Sequence, residues 1–353
     1  MRNGAGSGRE LDQELTKFLN SMALREDVGA MRADSEVLMR KLPPEREVEV
    51  AAAMTWYNPF YRPDMTKTAA SRLNLSPTVL AEVMLRGKLT AAHGERPNIL
   101  LACQPKSAST FLQAAIGKAL GVPAVALHAA TVNGYSASKL GANLREQEPE
   151  EMALLRHGIS GKGYIAQQHA RCSPYLSRLL ETYSVKPIVS HRNIFDTIVS
   201  LDDMVMEWRD SGIGSYFDDG MPANFSSLER DDRLMLLAQR HTAWFLQFYV
   251  SWVQCRNHKL VDPLFISYET DFLGDKAVLA RRIGDYLGCS DEQVNSLAGA
   301  LDDRRAAPTL RFNKGIADRG RDMPAAVRAH VLDYARYYRD DIDLTPLMGA
   351  DFA

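Results

Sequence analysis

The sequence predicts an α/β protein. It should have a parallel central sheet flanked by helices over residues 96–353 and an N-terminal helical extension over 1–95. Three observations predict this. From Pro97 onward, five short apolar runs alternate with helical stretches, the pattern of strands joined by crossovers. Before Pro97 the apolar residues recur at helical spacing and no run reads as a strand. The composition, 46% apolar and 24% charged over 353 residues, suits one large globular domain plus an extension, and excludes whole-chain disorder and fibrous repeats.

Within the extension, residues 1–8 are Gly/Ser-rich and read as frayed. Leu11, Leu15, Phe18 and Leu19 mark one apolar helix face. Met31, Val37, Leu38 and Leu42 mark a second, stopped by Pro43-Pro44. A third helix is expected over Glu45–Tyr57. A fourth opens with Ser76 as N-cap and Pro77 at its first position. In the main domain Asn98–Cys103 reads as a strand buried on both faces, followed by a helix from about Thr110 to Leu120. Val122–Leu127, Tyr164–Ala166, Pro187–Ser190 and Leu264–Tyr268 are the other strand candidates. Helices are expected near Tyr175–Tyr183, Phe195–Trp208 and Arg230–Cys255, with a mostly helical remainder.

Charge and cysteine usage narrow the function. Lys plus Arg number 42 against 44 Asp plus Glu, so no broad basic surface exists for nucleic acid or anionic lipid. A polyanion would have to meet a few concentrated cations. The four cysteines lie far apart, with no C-x-x-C pair and no metal-like spacing, as expected of a reduced cytoplasmic protein. No signal-like start and no run of about 18 apolar residues points to export or a membrane span.

Ligands on parallel sheets bind beyond the carboxyl ends of the strands, so the strand ends are the places to look for chemistry. The first strand runs into Gln104-Pro105-Lys106-Ser107-Ala108-Ser109-Thr110-Phe111 and then a helix. Small and hydroxyl residues at a helix start leave amides facing outward. With Lys106 they can cradle a phosphate. An ordinary strand–turn–helix with Ser/Thr capping reads the same way. The turn is not a Walker A loop, because G-x-x-x-x-G-K-[ST] is absent. The fourth strand ends at His191-Arg192, and Ser200 follows on the next helix. Arg192 could offer its fork to a phosphate or sit in a surface ion pair. Asn193 and Asp196 can act as caps.

Together these segments resemble the PAPS-dependent sulfotransferases of bacterial type, where PAPS is 3′-phosphoadenosine 5′-phosphosulfate. Pro105-Lys106-Ser107-Ala108-Ser109-Thr110-Phe111 stands where that family has its 5′-phosphosulfate loop. Arg192 and Ser200 keep the family's eight-residue interval for the 3′-phosphate. Leu264–Glu269 is similar to the apolar strand ending in Tyr-Glu, and Phe312-Asn313-Lys314-Gly315 to the closing loop. The resemblance implies a P-loop-like sulfotransferase fold over about Pro97–His330. It also implies PAPS as donor, 3′-phosphoadenosine 5′-phosphate (PAP) as product, and no metal. Lys106, Ser107, Ala108, Ser109 and Thr110 would hold the phosphosulfate, while Phe111 and Tyr268 flank adenine. Arg192, Ser200, Asn313, Lys314 and Gly315 would surround the 3′-phosphate. Three positions depart from the pattern. Ala108 replaces a glycine, and the loop is expected to avoid positive φ there. Phe111 replaces Trp and can still stack. Asn313 replaces an arginine, a loss that Arg311, Arg319 or Arg321 could offset.

Sulfuryl transfer needs a base at the acceptor hydroxyl. His169, at the end of the third strand, is the candidate that the resemblance favours. His128 is the substitute, and Glu146 or Glu148 a carboxylate alternative. The expected acceptor is a small molecule or carbohydrate bearing a hydroxyl. Oligomerisation is left open. Two other functions fit less of the sequence: an ATP-dependent kinase or other P-loop phosphotransferase, and a non-catalytic nucleotide-binding member. The aromatic group Trp56–Tyr61 reads as packing or as an acceptor-pocket wall. The polar stretches 133–147 and 210–225 read as lids or recognition loops.

Overall fold

The computed structural model describes residues 4–22, 25, 27–57, 77–127, 147–210, 221–303, 317–349 and 352. These residues divide into two compact units, one within the first 85 residues and one from Arg86 onward.

The first unit holds helices α1 (Gly4–Met22), α2 (Val28–Arg40), α3 (Pro44–Tyr57) and the start of α4 (Pro77–Ala92). Its core joins Leu15, Phe18 and Met22 to Met31, Leu38, Met39, Leu42, Val50 and Met54. Asp27 caps α2 by accepting from the Ala30 amide at 2.9 Å. Two expectations are corrected. Helix α1 begins at Gly4, inside the stretch read as frayed. Val37, placed on the apolar face by spacing, is 51% exposed. The buried side of α2 is carried by Met31, Leu38 and Met39, so its stripe is narrower than the periodicity suggests.

The second unit contains five parallel strands, β1 (Asn98–Cys103), β2 (Ala124–Val125), β3 (Tyr164–Gln168), β4 (Val185–His191) and β5 (Leu264–Ser267), in the order β2-β3-β1-β4-β5. The predicted fold class, an α/β parallel sheet flanked by helices, is therefore the observed one. The connecting helices are α5 (Ser109–Leu120), α6 (Glu151–Gly158), α7 (Pro174–Thr182), α8 (Ile194–Asp210) and α9 (Arg230–Asn257). After β5 come α10 (Lys276–Leu287), α11 (Asp291–Asp302), α12 (Ala325–Ala335) and α13 (Thr345–Met348). Strand β2 keeps only two residues of the apolar run Val122–Leu127, because it meets β3 at just Ala124–Ile165 and Val125–Ala166.

Strand β1 is buried along its whole length. Its side chains alternate between two layers. Ile99 and Leu101 join Ile165, Ile188 and Ile266 beneath α5, α10 and α11. Leu100 and Ala102 join Ala166 and Val189 beneath α7, α8, α9 and α12. The register pairs Ala102 with Gln168 and Cys103 with Ser190. The carboxyl ends of β3, β1 and β4 therefore finish side by side. No helix among the described residues is long and apolar enough to cross a membrane.

Candidate active site

The turn after β1 is built by long-range hydrogen bonds rather than by glycine. The Gln104 amide donates to Ser190 O at 2.9 Å, continuing the β1–β4 ladder past the strand. The Gln104 side chain donates to Thr197 Oγ1 at 3.1 Å and accepts from the Arg192 amide at 3.2 Å. Ser107 Oγ donates to Gln104 O and shares a hydrogen bond with Ser190 Oγ, both at 2.6 Å. Its hydroxyl is thus turned into the protein. Ser109 Oγ accepts from Gln167 Nε2 at 2.9 Å, which ties the start of α5 to β3. The Leu112 amide donates to Ala108 O at 3.0 Å, closing the first turn of α5.

Ala108 does adopt the left-handed conformation, with φ +62° and ψ +21°, contrary to the sequence expectation. Lys106 is also left-handed, at φ +67°. Each such residue costs roughly 1–2 kcal/mol where it is not glycine. Two in one five-residue turn mark it as held by its surroundings. The cross-strand bonds to Ser190, Thr197 and Arg192 are what hold it.

Arg192 follows β4 directly and is 3% exposed. Its Nη1 donates to Lys106 O at 3.1 Å. Its guanidinium carbon lies 4.1 Å from the centre of the Tyr268 ring. Asp196 and Glu269 face it at 3.7 and 3.9 Å. Burial lowers the pKa of Arg192, while the nearby tyrosine and carboxylates oppose that shift. Burial likewise raises the pKa of Glu269, whose carboxylate accepts from the Asn193 amide at 3.1 Å. Asn193 caps α8 as expected, accepting from the Phe195 amide at 2.9 Å. Asp196 does not cap the helix. It accepts from the Gly320 amide at 2.8 Å and faces Arg192. Ser200 is fully buried on α8, two turns beyond Arg192.

The Lys106 ammonium lies 3.6 Å from Met204 Sδ. Burial, and secondarily the Arg192 guanidinium, push its pKa down to about 8, with Asp203 and Glu207 opposing. Phe111 and Tyr268 both pack on Phe272, edge-on at 5.6 Å and stacked at 5.4 Å. The expected adenine walls thus share a third ring, supplied by the π-helical turn Tyr268–Phe272 that follows β5.

On the other side of β1, His169 follows β3 and is 6% exposed. Its Nδ1 lies 2.8 Å from Cys103 O. A carbonyl only accepts, so Nδ1 carries the proton, and in the neutral ring Nε2 holds the lone pair. The Trp244 ring stands edge-on at 6.4 Å. The His169 main chain is clamped at both ends by Gln147, whose Oε1 accepts at 3.1 Å and whose amide donates at 3.3 Å. His191 points the other way, between Tyr249 and Phe265.

The structure therefore brings the turn and helix start Lys106–Phe111, Arg192, Tyr268 and His169 to the carboxyl ends of the strands, while Ser200 is buried within α8. Glu148 is exposed. His128, Glu146, Arg311, Asn313, Lys314 and Gly315 lie outside the described residues, as do residues 58–61 and most of the two long polar stretches. No cluster of metal-ligating side chains occurs among the described residues. Sequence reasoning missed Gln104, Gln147 and Phe272. A glutamine that opens a turn or a phenylalanine that follows a strand carries no local signal of the distant groups it meets.

No protein-family model matches the chain, and no curated protein matches it. Among solved structures, one similar to this chain is the crystal structure of sulfotransferase STF9 from Mycobacterium avium. The identity is 14%, the match covers 94% of this chain and 96% of that one, and the TM-score is 0.40.

Proposed function

We propose that this protein is a sulfotransferase that moves the sulfuryl group of PAPS to an acceptor hydroxyl. The observation that carries the reading is the Arg192 Nη1 to Lys106 O contact at 3.1 Å. It ties Arg192 to the turn that carries Lys106, and the resemblance assigns these two residues to opposite ends of one doubly phosphorylated nucleotide. The aromatic group of Phe111, Tyr268 and Phe272 lies beside them.

The chemistry follows from the chain's own groups. The acceptor oxygen attacks sulfur in line with the departing phosphate oxygen. The S–O bond to the acceptor forms, the S–O bond to PAP breaks, and the hydroxyl proton passes to His169 Nε2. Fixing Nδ1–H on Cys103 O presents Nε2 as the acceptor of that proton. Lys106 and the first amides of α5 face the charge that grows on the leaving oxygen. No step calls for a metal, since the donor arrives activated. The acceptor is taken to be a small molecule or carbohydrate, and the site cytoplasmic.

Calorimetry with PAP and with ATP tests the donor assignment. PAP is expected to bind without Mg²⁺ and at least tenfold more tightly than ATP. Tighter binding of ATP with Mg²⁺ would point instead to a phosphotransferase. Transfer of the sulfuryl group from PAPS to a panel of hydroxyl acceptors, with release of PAP, tests turnover, and binding without turnover on any of them would point to a nucleotide-binding role.

A further inference from the structure

We propose that Cys172 and Cys255 form a modification site, a buried dithiol that the folded chain closes to a disulfide on oxidation. The proposal stands apart from the sulfotransferase reading and makes no use of the donor site.

The two cysteines are far apart in sequence, and the fold brings them to one place. Cys172 lies on the connection between β3 and α7, and Cys255 on the last turn of α9. Both thiols are free, and both are buried in the layer beneath α7, α8, α9 and α12. The connection is pinned along α9 at two points. The Trp252 indole donates to Ala170 O at 3.0 Å, and the Cys172 amide donates to Ser251 Oγ at 3.0 Å. Ser251 Oγ in turn donates to Phe248 O at 2.8 Å, which fixes the anchor. Ser251 precedes Cys255 by one helical turn, so the two share a face of α9 with about 5–6 Å between their Cβ atoms. A residue whose amide is bonded to Ser251 is thereby set beside the Cys255 thiol.

The thiols act on each other. Burial pushes the pKa of Cys172 up, the Ser177 hydroxyl 3.4 Å away pulls it back, and the Cys255 thiol raises it again. The other two cysteines lie elsewhere. Cys103 has its sulfur 3.3 Å from His169 Nδ1, and Cys289 packs in the opposite layer, beneath α5, α10 and α11.

Glutathione disulfide is an oxidant that balances the step. The Cys172 thiolate attacks one of its sulfurs, forming a mixed disulfide and releasing one glutathione thiolate. The Cys255 thiolate then attacks the Cys172 sulfur and displaces the second. Each protein thiol yields its proton to a departing glutathione. Cys172 reacts first because it lines a cleft of about 330 Å³ bordered by Arg171, Gln247 and Gln254. Its raised pKa keeps thiolate scarce, which makes the reaction slow. The end point depends instead on how closely the fold holds the two sulfurs. The bridge ties the segment after His169 to α9 and closes a long loop containing α7, β4 and α8, a large constraint on the unfolded chain.

The test equilibrates the full chain, folded and in urea, with graded mixtures of reduced and oxidised glutathione. Samples are quenched in acid, alkylated and digested with trypsin. The folded chain is expected to release Cys172–Arg178 joined to His241–Arg256, lighter than the two reduced peptides by two hydrogen atoms. Half-conversion is expected at a proportion of oxidised glutathione at least about tenfold lower than in urea, because the fold supplies the proximity. The oxidised protein should also show a higher Tm. Refolding from urea in the same mixtures lets the thiols react before they are buried, and should reach the same end point. Cys172→Ser removes the joined peptide, and Cys289→Ser leaves it. Absence of the joined peptide by both routes, glutathione retained on Cys172 as the main product, or no preference over urea overturns the proposal. None of these readings depends on nucleotide binding, so the proposal and the sulfotransferase reading fail separately.

Discussion

The guanidinium of Arg192 donates to the main-chain carbonyl of Lys106 across the ends of two neighbouring parallel strands. One side chain thereby does two things. It brings a cation to the sheet edge, and it holds the left-handed turn that aims Lys106. The arginine is itself buried against Asp196 and Glu269. Removing it leaves those carboxylates without their counter-ion, a loss of about 3–5 kcal/mol for a buried pair broken on one side. Arg192→Ala is therefore expected to lower Tm sharply as well as to weaken PAP. Arg192→Lys should keep the fold within about 1–2 kcal/mol, yet still lose roughly tenfold or more in PAP affinity, because a point charge cannot reproduce the fork. Thermal unfolding and calorimetry on the two variants check this. A lysine variant that binds like wild type would show that Arg192 serves the turn alone.

Lys106 sits where a charge is costly without a ligand. Its pKa, pushed down to about 8 from 10.5, means the unfolded chain holds the proton more tightly than the folded one between those values. Through that window stability should rise with pH in the nucleotide-free protein. Lys106→Met, which packs an apolar chain against Met204, is expected to raise the unfolding free energy by on the order of 1–3 kcal/mol, and Tm with it, while abolishing sulfate transfer. In wild type an incoming anion favours the ammonium form. Above pH 8 PAP binding should therefore take up a proton, seen as a dependence of the binding heat on the buffer's ionisation enthalpy. Proton release, or none, would place the lysine away from the ligand.

His169 is held in place by its neighbours rather than by its own segment. Cys103 O fixes Nδ1, and Gln147 fixes the main chain. His169→Gln is expected to lower kcat by at least about 100-fold with PAP affinity within a few-fold of wild type, the range for loss of a general base. Near-normal turnover in a folded His169→Gln protein would assign the base to another group. Gln147→Ala should act more weakly and through kcat, since it loosens the segment and leaves the imidazole in place.

The fold class was legible because burial on both faces of a parallel strand writes continuous apolar runs, as in Asn98–Cys103, and because proline marks boundaries such as Pro77 and Pro97. The candidate site could be read only at the strand ends, where topology confines the candidates. Arg192, Lys106 and His169 fall there. The conformation of Ala108 was not legible. Alanine avoids positive φ in isolation, and only the bonds from Gln104 and Ser107 to β4 and α8 impose it. That assignment can be checked by stability alone. Ala108→Gly relieves roughly 1–2 kcal/mol of left-handed strain and loses roughly 0.5–1 kcal/mol to chain entropy, for a small net rise in Tm. Ala108→Val, with its branched Cβ, should lower Tm instead. If glycine destabilises and valine does not, the turn is not left-handed at this position.

His191, the neighbour of Arg192, supplies the clearest pH signature. It is wedged between Tyr249 and Phe265, and burial depresses its pKa to about 4 despite the opposing pull of Asp271. The folded protein thus keeps this imidazole neutral where the unfolded chain, titrating near 6.5, already binds a proton. As pH falls from about 6.5 to about 4, the unfolded state gains a proton that the native state refuses. Stability should decline through that interval by on the order of 3 kcal/mol, and level off for this group below it. His191→Leu removes the group while keeping an apolar side chain in the wedge. Subtracting the two curves of unfolding free energy against pH isolates the histidine from the carboxylates titrating in the same range. A difference curve that is flat between pH 6.5 and 4 would mean that water or an acceptor reaches the ring.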